Sequence, residues 1–168
     1  MKNQLSKINK QQILDSINYI KKIFPFDNYG ESPPDTDIKD RKDKGDALNT
    51  IKKDYINPQQ NSHYNIASNV TSIKKTNSTI LDFGCGPLDK VGVLKNLGYN
   101  CYGIDDYNDP WHLKDDNHKK ICDFAKKLNI PLYTSLSELK NENKDLKFDV
   151  ILLNDVIEHL HDSPRFLL

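Results

Sequence analysis

The stretch TILDFGCGP, residues 79–87, decides the fold of this 168-residue chain. Its first five residues form a short, mostly apolar run that predicts a buried β-strand. Gly84 and Gly86 follow, and they let the backbone turn tightly and let a ligand approach without meeting a Cβ atom. Residues 88–97 then carry apolar side chains at helical spacing, and Gly98 marks the helix end. The stretch therefore predicts a strand, a glycine turn and a helix whose free N–H groups face the turn.

The same alternation continues along the rest of the chain. Further strands are predicted at residues 101–104, 131–134 and 148–153, with helices at 116–128 and shortly after the third strand. Strands that alternate with helices favour right-handed crossovers, and hence an α/β, doubly wound parallel sheet with helices on both faces. Residues 148–153 are apolar apart from one aspartate, so we expect this strand to be buried on both faces.

Residues 1–78 have a different, more polar character. The expected elements are an amphipathic helix ended by a proline, a polar loop and a short helix, at residues 5–24, 27–46 and 47–55. Residues 57–78 carry only weak apolar marks. We therefore divide the chain into an N-terminal helical and loop segment, 1–78, and an α/β segment, 79–168.

The composition excludes several classes of protein. Charge is balanced, with 24 basic and 24 acidic residues, so we expect no nucleic-acid partner. Three cysteines without C-x-x-C spacing argue against a disulfide framework or a structural zinc site, and the histidine spacing suggests no metal. No apolar run reaches membrane-spanning length and no apolar leader precedes the first helix. We expect a reduced, cytoplasmic protein without a metal or a membrane span.

Ligands of parallel sheets bind beyond the carboxyl ends of the strands, so the residues after each strand matter most. Asp105 ends the second strand, 21 residues after Gly84, where a carboxylate can accept both hydroxyls of an adenosine ribose. Asp82 lies inside the glycine motif, where it would suit a cationic amino group rather than a pyrophosphate. Asp89 replaces the third glycine of the dinucleotide-binding pattern. These acids favour a positively charged nucleoside such as S-adenosylmethionine over a nicotinamide dinucleotide.

Three segments resemble motifs of the class I methyltransferases. Residues 80–87 look like the family's first motif, 102–105 like its second, and 148–160 like the fourth-strand motif of its small-molecule and lipid-type branch. The resemblance covers residues 79–168, with the motifs in the family's order. It implies a Rossmann-like sheet of strand order 3-2-1-4, with the family's strands five to seven absent.

The resemblance also implies a set of residues that bind S-adenosylmethionine: Asp82, Gly84, Cys85, Gly86, Asp105, Asp106, Asn154 and Asp155. Residues 84–86 would face its methionine and ribose parts, and Asp82 would neutralise its amino group. Asp105 would hold the ribose hydroxyls, Asp106 would lie beside the adenine, and residues 154–155 would border the methionine end.

Some positions depart from the family's pattern. Many members carry a further glycine where this chain has Leu88, so we expect a stiffer turn. The adenine contact after the third strand is usually polar, and residues 134–136 match that pattern poorly. Residues 109–112, with a tryptophan and a histidine, are predicted to form a loop that is longer than a plain connection and lies over the substrate.

Catalysis is less well specified by the sequence. Methyl transfer is an in-line displacement that positioning and exclusion of water can accelerate, although an oxygen or nitrogen nucleophile can also need a base. His159 is the candidate base because it follows the fourth strand. The simpler interpretation is that Glu158 and His159 only begin a helix, where glutamate is favoured in the first turn.

The sequence therefore predicts S-adenosylmethionine-dependent methyl transfer to a small-molecule, lipid or sugar-type acceptor. Two alternatives stay open: a non-catalytic cofactor-binding or interaction module, and a nicotinamide-dependent enzyme. Because three strands of the family's sheet are missing, we interpret the chain as a fragment. The fourth strand would then be an apolar edge, which a partner chain would be expected to cover.

Overall fold

The structure, a computed structural model, describes residues 8–26 and 56–156. Its strands are β1 (Thr79–Phe83), β2 (Asn100–Ile104), β3 (Leu132–Tyr133) and β4 (Val150–Leu152). Its helices are α1 (Lys10–Ile23), α2 (Ile56–Ile73), α3 (Asp89–Asn96), α4 (Pro110–Leu113), α5 (Asn117–Leu128) and α6 (Leu136–Glu142). The loop predicted at 27–46 and the short helix predicted at 47–55 lie outside the described residues.

The four strands form one parallel sheet in the order β3-β2-β1-β4, which confirms the predicted topology. Leu81 at the centre of β1 is in register with Tyr102 of β2 on one side and with Ile151 of β4 on the other. Since β1 lies between these two neighbours, the turns after β1, β2 and β4 meet at one edge of the sheet. That carboxyl edge is where a ligand of a parallel sheet is expected to bind.

The larger hydrophobic core lies between one face of the sheet and helices α1, α2, α3 and α5. From α1, Ile13, Ile17 and Ile20 enter this core, because their spacing puts them on one side of a helix. Asn9 caps α1 through a reciprocal pair of hydrogen bonds with Gln12. The N-terminal helices thus share a core with the sheet.

The opposite face of the sheet carries a smaller core. Leu81, Ile104, Tyr133 and Leu139 are buried there. The predicted six-residue fourth strand shortens to Val150–Leu152, and the expectation that it is buried on both faces is wrong. Ile151 is 57 % exposed, because within residues 8–26 and 56–156 no element covers β4 on this face. The prediction that β4 forms an edge is confirmed for the sheet described.

Two helices occur where the sequence predicted none. The buried residues of α2, Ile56, His63, Ala67 and Val70, lie at helical spacing, but one of them is polar and the apolar pattern is therefore incomplete. The short helix α4 replaces the predicted loop at 109–112. Its N-cap Asp109 accepts a hydrogen bond from the Trp111 amide at 2.8 Å, and Pro110 fills the first helical position. In the part of the chain that is described, no helix is both long and apolar enough to cross a bilayer.

Candidate functional site

A cleft of about 880 Å³ lies along the carboxyl edge of the sheet. The structure brings every predicted cofactor-binding residue to its wall: Asp82, Gly84, Cys85, Gly86, Asp105, Asp106, Asn154 and Asp155. Other residues line it that the sequence did not single out for binding, among them Lys90, Asp109 and His112. The predicted base His159 and its neighbour Glu158 lie outside the described residues.

The glycine turn between β1 and α3 adopts backbone conformations that favour glycine. Gly84 has a φ of +73° and Gly86 a φ of +48°, in the left-handed region. A Cβ atom on Gly84 would also collide with Val156, which follows β4. The amides of Gly84 and Cys85 both donate to the carbonyl oxygen of Ile104, at 2.8 and 3.0 Å. The turn is thereby fastened to the end of β2.

Leu88, where many family members carry glycine, is also left-handed, with a φ of 66°. This conformation is unfavourable for leucine, but the side chain is fully buried and packs over Gly103 of β2. A Cβ atom on Gly103 would lie 2.9 Å from both Leu88 Cδ2 and Cys85 Sγ. Burial of Leu88 over a glycine therefore offsets the backbone cost of its conformation.

Asp105 is held in place by the backbone of the loops it joins. Its Oδ2 accepts a hydrogen bond from the Gly86 amide at 2.8 Å, and its Oδ1 accepts one from the Tyr107 amide at 3.0 Å. A carboxylate oxygen has two acceptor sites, so each oxygen can accept a further hydrogen bond from a ligand hydroxyl. Asp106 beside it is exposed, and its Oδ1 accepts from the Asn108 amide at 3.1 Å.

Asp82 is the most unusual acid of the cleft, since its side chain is only 2 % exposed. Burial raises the pKa of Asp82 to about 7 and is the largest cause of the shift. The negative charges of Asp89, Asp105 and Asp155 add to it, and the positive charge of Lys90 opposes it. Among the described residues, its Oδ1 has no hydrogen-bond partner. A buried carboxylate without a partner is costly, and a cationic group placed against it would relieve that cost.

Lys90 and Asp155 form an ion pair at the wall of the cleft, with Nζ and Oδ2 2.7 Å apart. The pair joins the first turn of α3 to the segment that follows β4. Burial lowers the pKa of Lys90, but the hydrogen bond and the charges of nearby aspartates outweigh burial and raise it overall. Beside the pair, Asn154 Nδ2 is buried and has no partner among the described residues. It is therefore available to donate to a ligand.

Tyr107 closes the back of the glycine turn. Its hydroxyl donates to the Gly86 carbonyl oxygen at 3.4 Å and lies 3.7 Å from Cys85 Sγ. Burial raises the pKa of the Cys85 thiol well above its usual range, so Cys85 is a packing residue and not a thiolate nucleophile. His112 meets the Tyr107 ring edge-on, with centroids 4.9 Å apart, and burial lowers its pKa.

The polar residues after β3 are engaged by the next helix. The Thr134 amide and hydroxyl both donate to Glu138 Oε2, at 2.7 and 2.9 Å, and Ser135 Oγ accepts from the Glu138 amide as the N-cap of α6. Leu136 remains 38 % exposed at the cleft. This end of the cleft therefore offers a ligand an apolar surface, which is consistent with the poor match to a polar contact.

The cleft as a whole is acidic. Its wall holds six aspartates, Asp82, Asp89, Asp105, Asp106, Asp109 and Asp155, and Lys90 is the single lysine or arginine among its described lining residues. An excess of carboxylates at the edge of a low-dielectric interior attracts cations and repels phosphates. The cleft thus suits a ligand that carries positive charge.

Comparisons with known proteins agree with this geometry. A family model described as a methyltransferase domain matches residues 59–168 and so begins inside α2. Proteins named ubiquinone biosynthesis O-methyltransferase are similar: that of Rickettsia typhi is 31 % identical over 124 residues, and that of Rickettsia felis 27 % over 121. Each alignment covers 72 % of this chain and 43 % of the relative, so the chain spans less than half the length of these relatives. No solved structure matches the chain.

Proposed function

The chain belongs to the methyltransferase-domain family, and on that premise we propose that it binds S-adenosylmethionine in the acidic cleft and serves methyl transfer to a small-molecule acceptor. Methyltransferases of this kind use S-adenosylmethionine. The observation that carries the proposal is the state of Asp82. Its carboxyl group is buried, its Oδ1 has no hydrogen-bond partner among the described residues, and it lines the same cleft as Asp105. S-adenosylmethionine has a cationic amino group and a sulfonium, so this cleft fits it better than it fits a dinucleotide phosphate.

Each predicted residue has a role in this proposal. Asp82 receives the amino group, and Asp105, already oriented by two backbone amides, accepts the ribose hydroxyls. The turn at residues 84–86 lies against the ligand, since all three residues line the cleft. Asp106 lies beside the adenine, and residues 154–155 border the methionine end. Leu136 offers the adenine an apolar surface.

When bound, S-adenosylmethionine supplies an electrophilic methyl group. The chain's own contribution is to hold that ligand in one orientation and to keep water from the reacting atoms, which can account for much of the acceleration of a displacement. Asp105 and the glycine turn are fixed before any ligand arrives, because backbone hydrogen bonds hold them. His159 as a general base stays a prediction that only the acceptor's chemistry can test.

We further propose that the acceptor atom is an oxygen of a quinone-type small molecule. This step rests on the relatives, which are named as O-methyltransferases of ubiquinone biosynthesis. The earlier lipid and sugar-type acceptors remain wider alternatives. Family membership does not favour the non-catalytic module, which would show cofactor binding without turnover. It also disagrees with the nicotinamide-dependent alternative.

The test is calorimetric titration of S-adenosylmethionine and S-adenosylhomocysteine into the 168-residue chain. We expect saturable binding, and a loss of about 100-fold in affinity for Asp105→Ala, because two charge-assisted hydrogen bonds contribute about 3 kcal/mol. Asp145→Ala is the control: it removes an exposed carboxylate that does not line the cleft, and it should leave the affinity unchanged.

Two results would contradict the proposal. One is a folded chain that binds neither ligand. The other is tight binding of NAD that S-adenosylmethionine does not displace. With a phenolic acceptor added, methyl transfer from labelled S-adenosylmethionine would separate the enzyme from a module that only binds the cofactor.

A further inference from the structure

A buried histidine on α2 contacts the wall of the cleft from behind. His63 Nε2 lies 2.7 Å from Asp89 Oδ2, and the two side chains are 0 % and 2 % exposed. The other ring nitrogen, Nδ1, lies 2.8 Å from the carbonyl oxygen of Gln59, one turn earlier in α2. Both ring nitrogens of His63 therefore face an oxygen atom.

The partners of the ring restrict where its protons can be. A carbonyl oxygen only accepts hydrogen bonds, so Nδ1 must carry a hydrogen and donate it to Gln59. Nε2 then either donates to a carboxylate, as part of an imidazolium, or accepts from a protonated Asp89. Burial alone lowers the pKa of His63, but the hydrogen bond and negative charge of Asp89 outweigh burial and raise it, against the opposing charge of Lys90. This balance favours the imidazolium.

The partner of His63, Asp89, lies where its charge acts on the cleft. Asp89 is the first residue of α3, directly after the glycine turn, and it lines the cleft. After burial, its negative charge is the largest influence on Asp82, which also faces Lys90, Asp105 and Asp155. Whatever cancels the charge of Asp89 therefore makes it easier for Asp82 to be ionised when a cationic ligand binds.

We propose that His63 is a positioning residue of the cleft: as an imidazolium on α2, it fixes the first turn of α3 through Asp89 and neutralises Asp89, so that Asp82 can ionise towards the ligand. The inference rests on the proposed function and extends it to a helix outside the cleft wall. It also assigns a role to α2, which the match to the methyltransferase-domain model includes from residue 59 onward.

The closing experiment compares pH profiles of S-adenosylhomocysteine affinity, measured by calorimetry between about pH 6 and pH 9. In the wild type the affinity should rise as Asp82 ionises, with a midpoint near its pKa of about 7. His63→Gln keeps a hydrogen-bond donor but removes the positive charge, which leaves Asp89 uncompensated. The midpoint should then move up by about one pH unit, because a like charge next to Asp82 is no longer cancelled.

Two matched variants separate charge from structure. The double variant His63→Gln with Asp89→Asn restores a neutral pair, so its midpoint should return towards that of the wild type. Val70→Ala truncates another buried residue of α2 without a change of charge, and should lower stability while leaving the midpoint in place. An equal loss of affinity at all pH values in His63→Gln, or a double variant that shifts as far as the single one, would overturn the proposal.

A second measurement needs neither ligand nor a stable variant. The ring-nitrogen chemical shifts of His63 in the wild type should show an imidazolium near pH 7, where exposed histidines with a pKa of about 6.5 are mostly neutral. A neutral ring would reject the inference even if the ligand binds. A charged ring in a chain that binds no S-adenosylhomocysteine would instead reject the proposed function and leave the buried pair standing.

Discussion

Asp82 lies near the carboxyl end of β1, and Asp149 directly precedes the amino end of the neighbouring strand β4. The two aspartates are therefore at opposite ends of the strands of one sheet, and their surroundings differ. At the amino edge, Asp149 accepts hydrogen bonds from the Thr79 amide at 2.9 Å and from Lys74 Nζ at 3.4 Å, and the backbone hydrogen bond holds its pKa below the usual range. At the carboxyl half of β1, Asp82 is buried, its Oδ1 lacks a partner among the described residues, and its pKa rises to about 7. The Asp149 carboxylate is paired within the fold, whereas one oxygen of Asp82 has no hydrogen-bond partner in the described part of the chain.

The backbone shows the same contrast. Before β1 and β2, the left-handed positions are Asn77 and Gly98, residue types that adopt this conformation at little cost. Around the cleft they include Leu88 and Tyr107, which do so less readily. Backbone strain of this kind persists only where the surrounding structure holds it, as burial over Gly103 holds Leu88. The comparison predicts that substitutions at the two edges will affect stability and binding in different ways.

The largest expected effect comes from Asp82→Asn. It removes the carboxylate that we propose receives the ligand's amino group, so affinity for S-adenosylhomocysteine should fall by about 100-fold or more and lose its pH dependence near neutrality. The unliganded variant should nevertheless be more stable than the wild type above pH 7, by about 1–3 kcal/mol. The folded chain holds the Asp82 proton more tightly than the unfolded chain does, so wild-type stability falls as pH rises from about 4 towards 7.

Urea unfolding of both proteins at about pH 4 and about pH 8 checks this sign. The two should be closest in stability at the lower pH, where Asp82 is largely protonated in the unfolded chain as well as in the folded one, and should be furthest apart at the higher pH, where it is ionised in both. If the variant is less stable than the wild type at both pH values, then Asp82 is a structural acid like Asp149, and the contrast between the two edges is lost.

A smaller effect is expected for Gly103→Ala in β2. The new Cβ atom would lie 2.9 Å from Leu88 Cδ2 and Cys85 Sγ, so these buried side chains must shift, at a cost of about 1–2 kcal/mol in unfolding free energy. If Leu88 and Gly103 pack against each other, Leu88→Ala should leave room for the new Cβ atom and so reduce the cost of Gly103→Ala. The double variant should then lose less stability than the sum of the single losses, and additive losses would show that the two positions are independent.

Much of the fold could be predicted from local signals. The order of strands and helices after residue 79 follows from apolar runs separated by glycine and polar turns. The predicted ligand residues meet in one cleft because the ends of parallel strands share an edge, and that rule needs only the strand positions. Their role in binding S-adenosylmethionine stays a prediction for the titrations to decide.

Other features depend on tertiary contacts that one sequence does not display. The sequence did not predict helix α2 because a polar side chain, that of His63, occupies one of its core positions. The burial of His63 is explained only by its hydrogen bond to Asp89. The exposed face of β4 was missed because an apolar strand does not reveal which of its faces is covered. The ion pair of Lys90 and Asp155 joins residues 65 positions apart, and the sequence around neither residue identifies the other as its partner.

The smallest effect is expected for Asp149→Asn at the amino edge. The amide oxygen can still accept from Thr79, so only the exposed charge pair with Lys74 is lost, and the melting temperature should fall by no more than about 2 °C. Because the folded-state pKa of Asp149 lies below the usual range, its charge stabilises the fold above the unfolded pKa of about 3.9 and stops doing so as pH falls through the folded value. The wild type and the variant should therefore converge in acid. Affinity for S-adenosylhomocysteine should be unchanged at every pH, since Asp149 lies across the sheet from the cleft; a change in affinity would mean that the two edges are coupled and that Asp82 does not act alone.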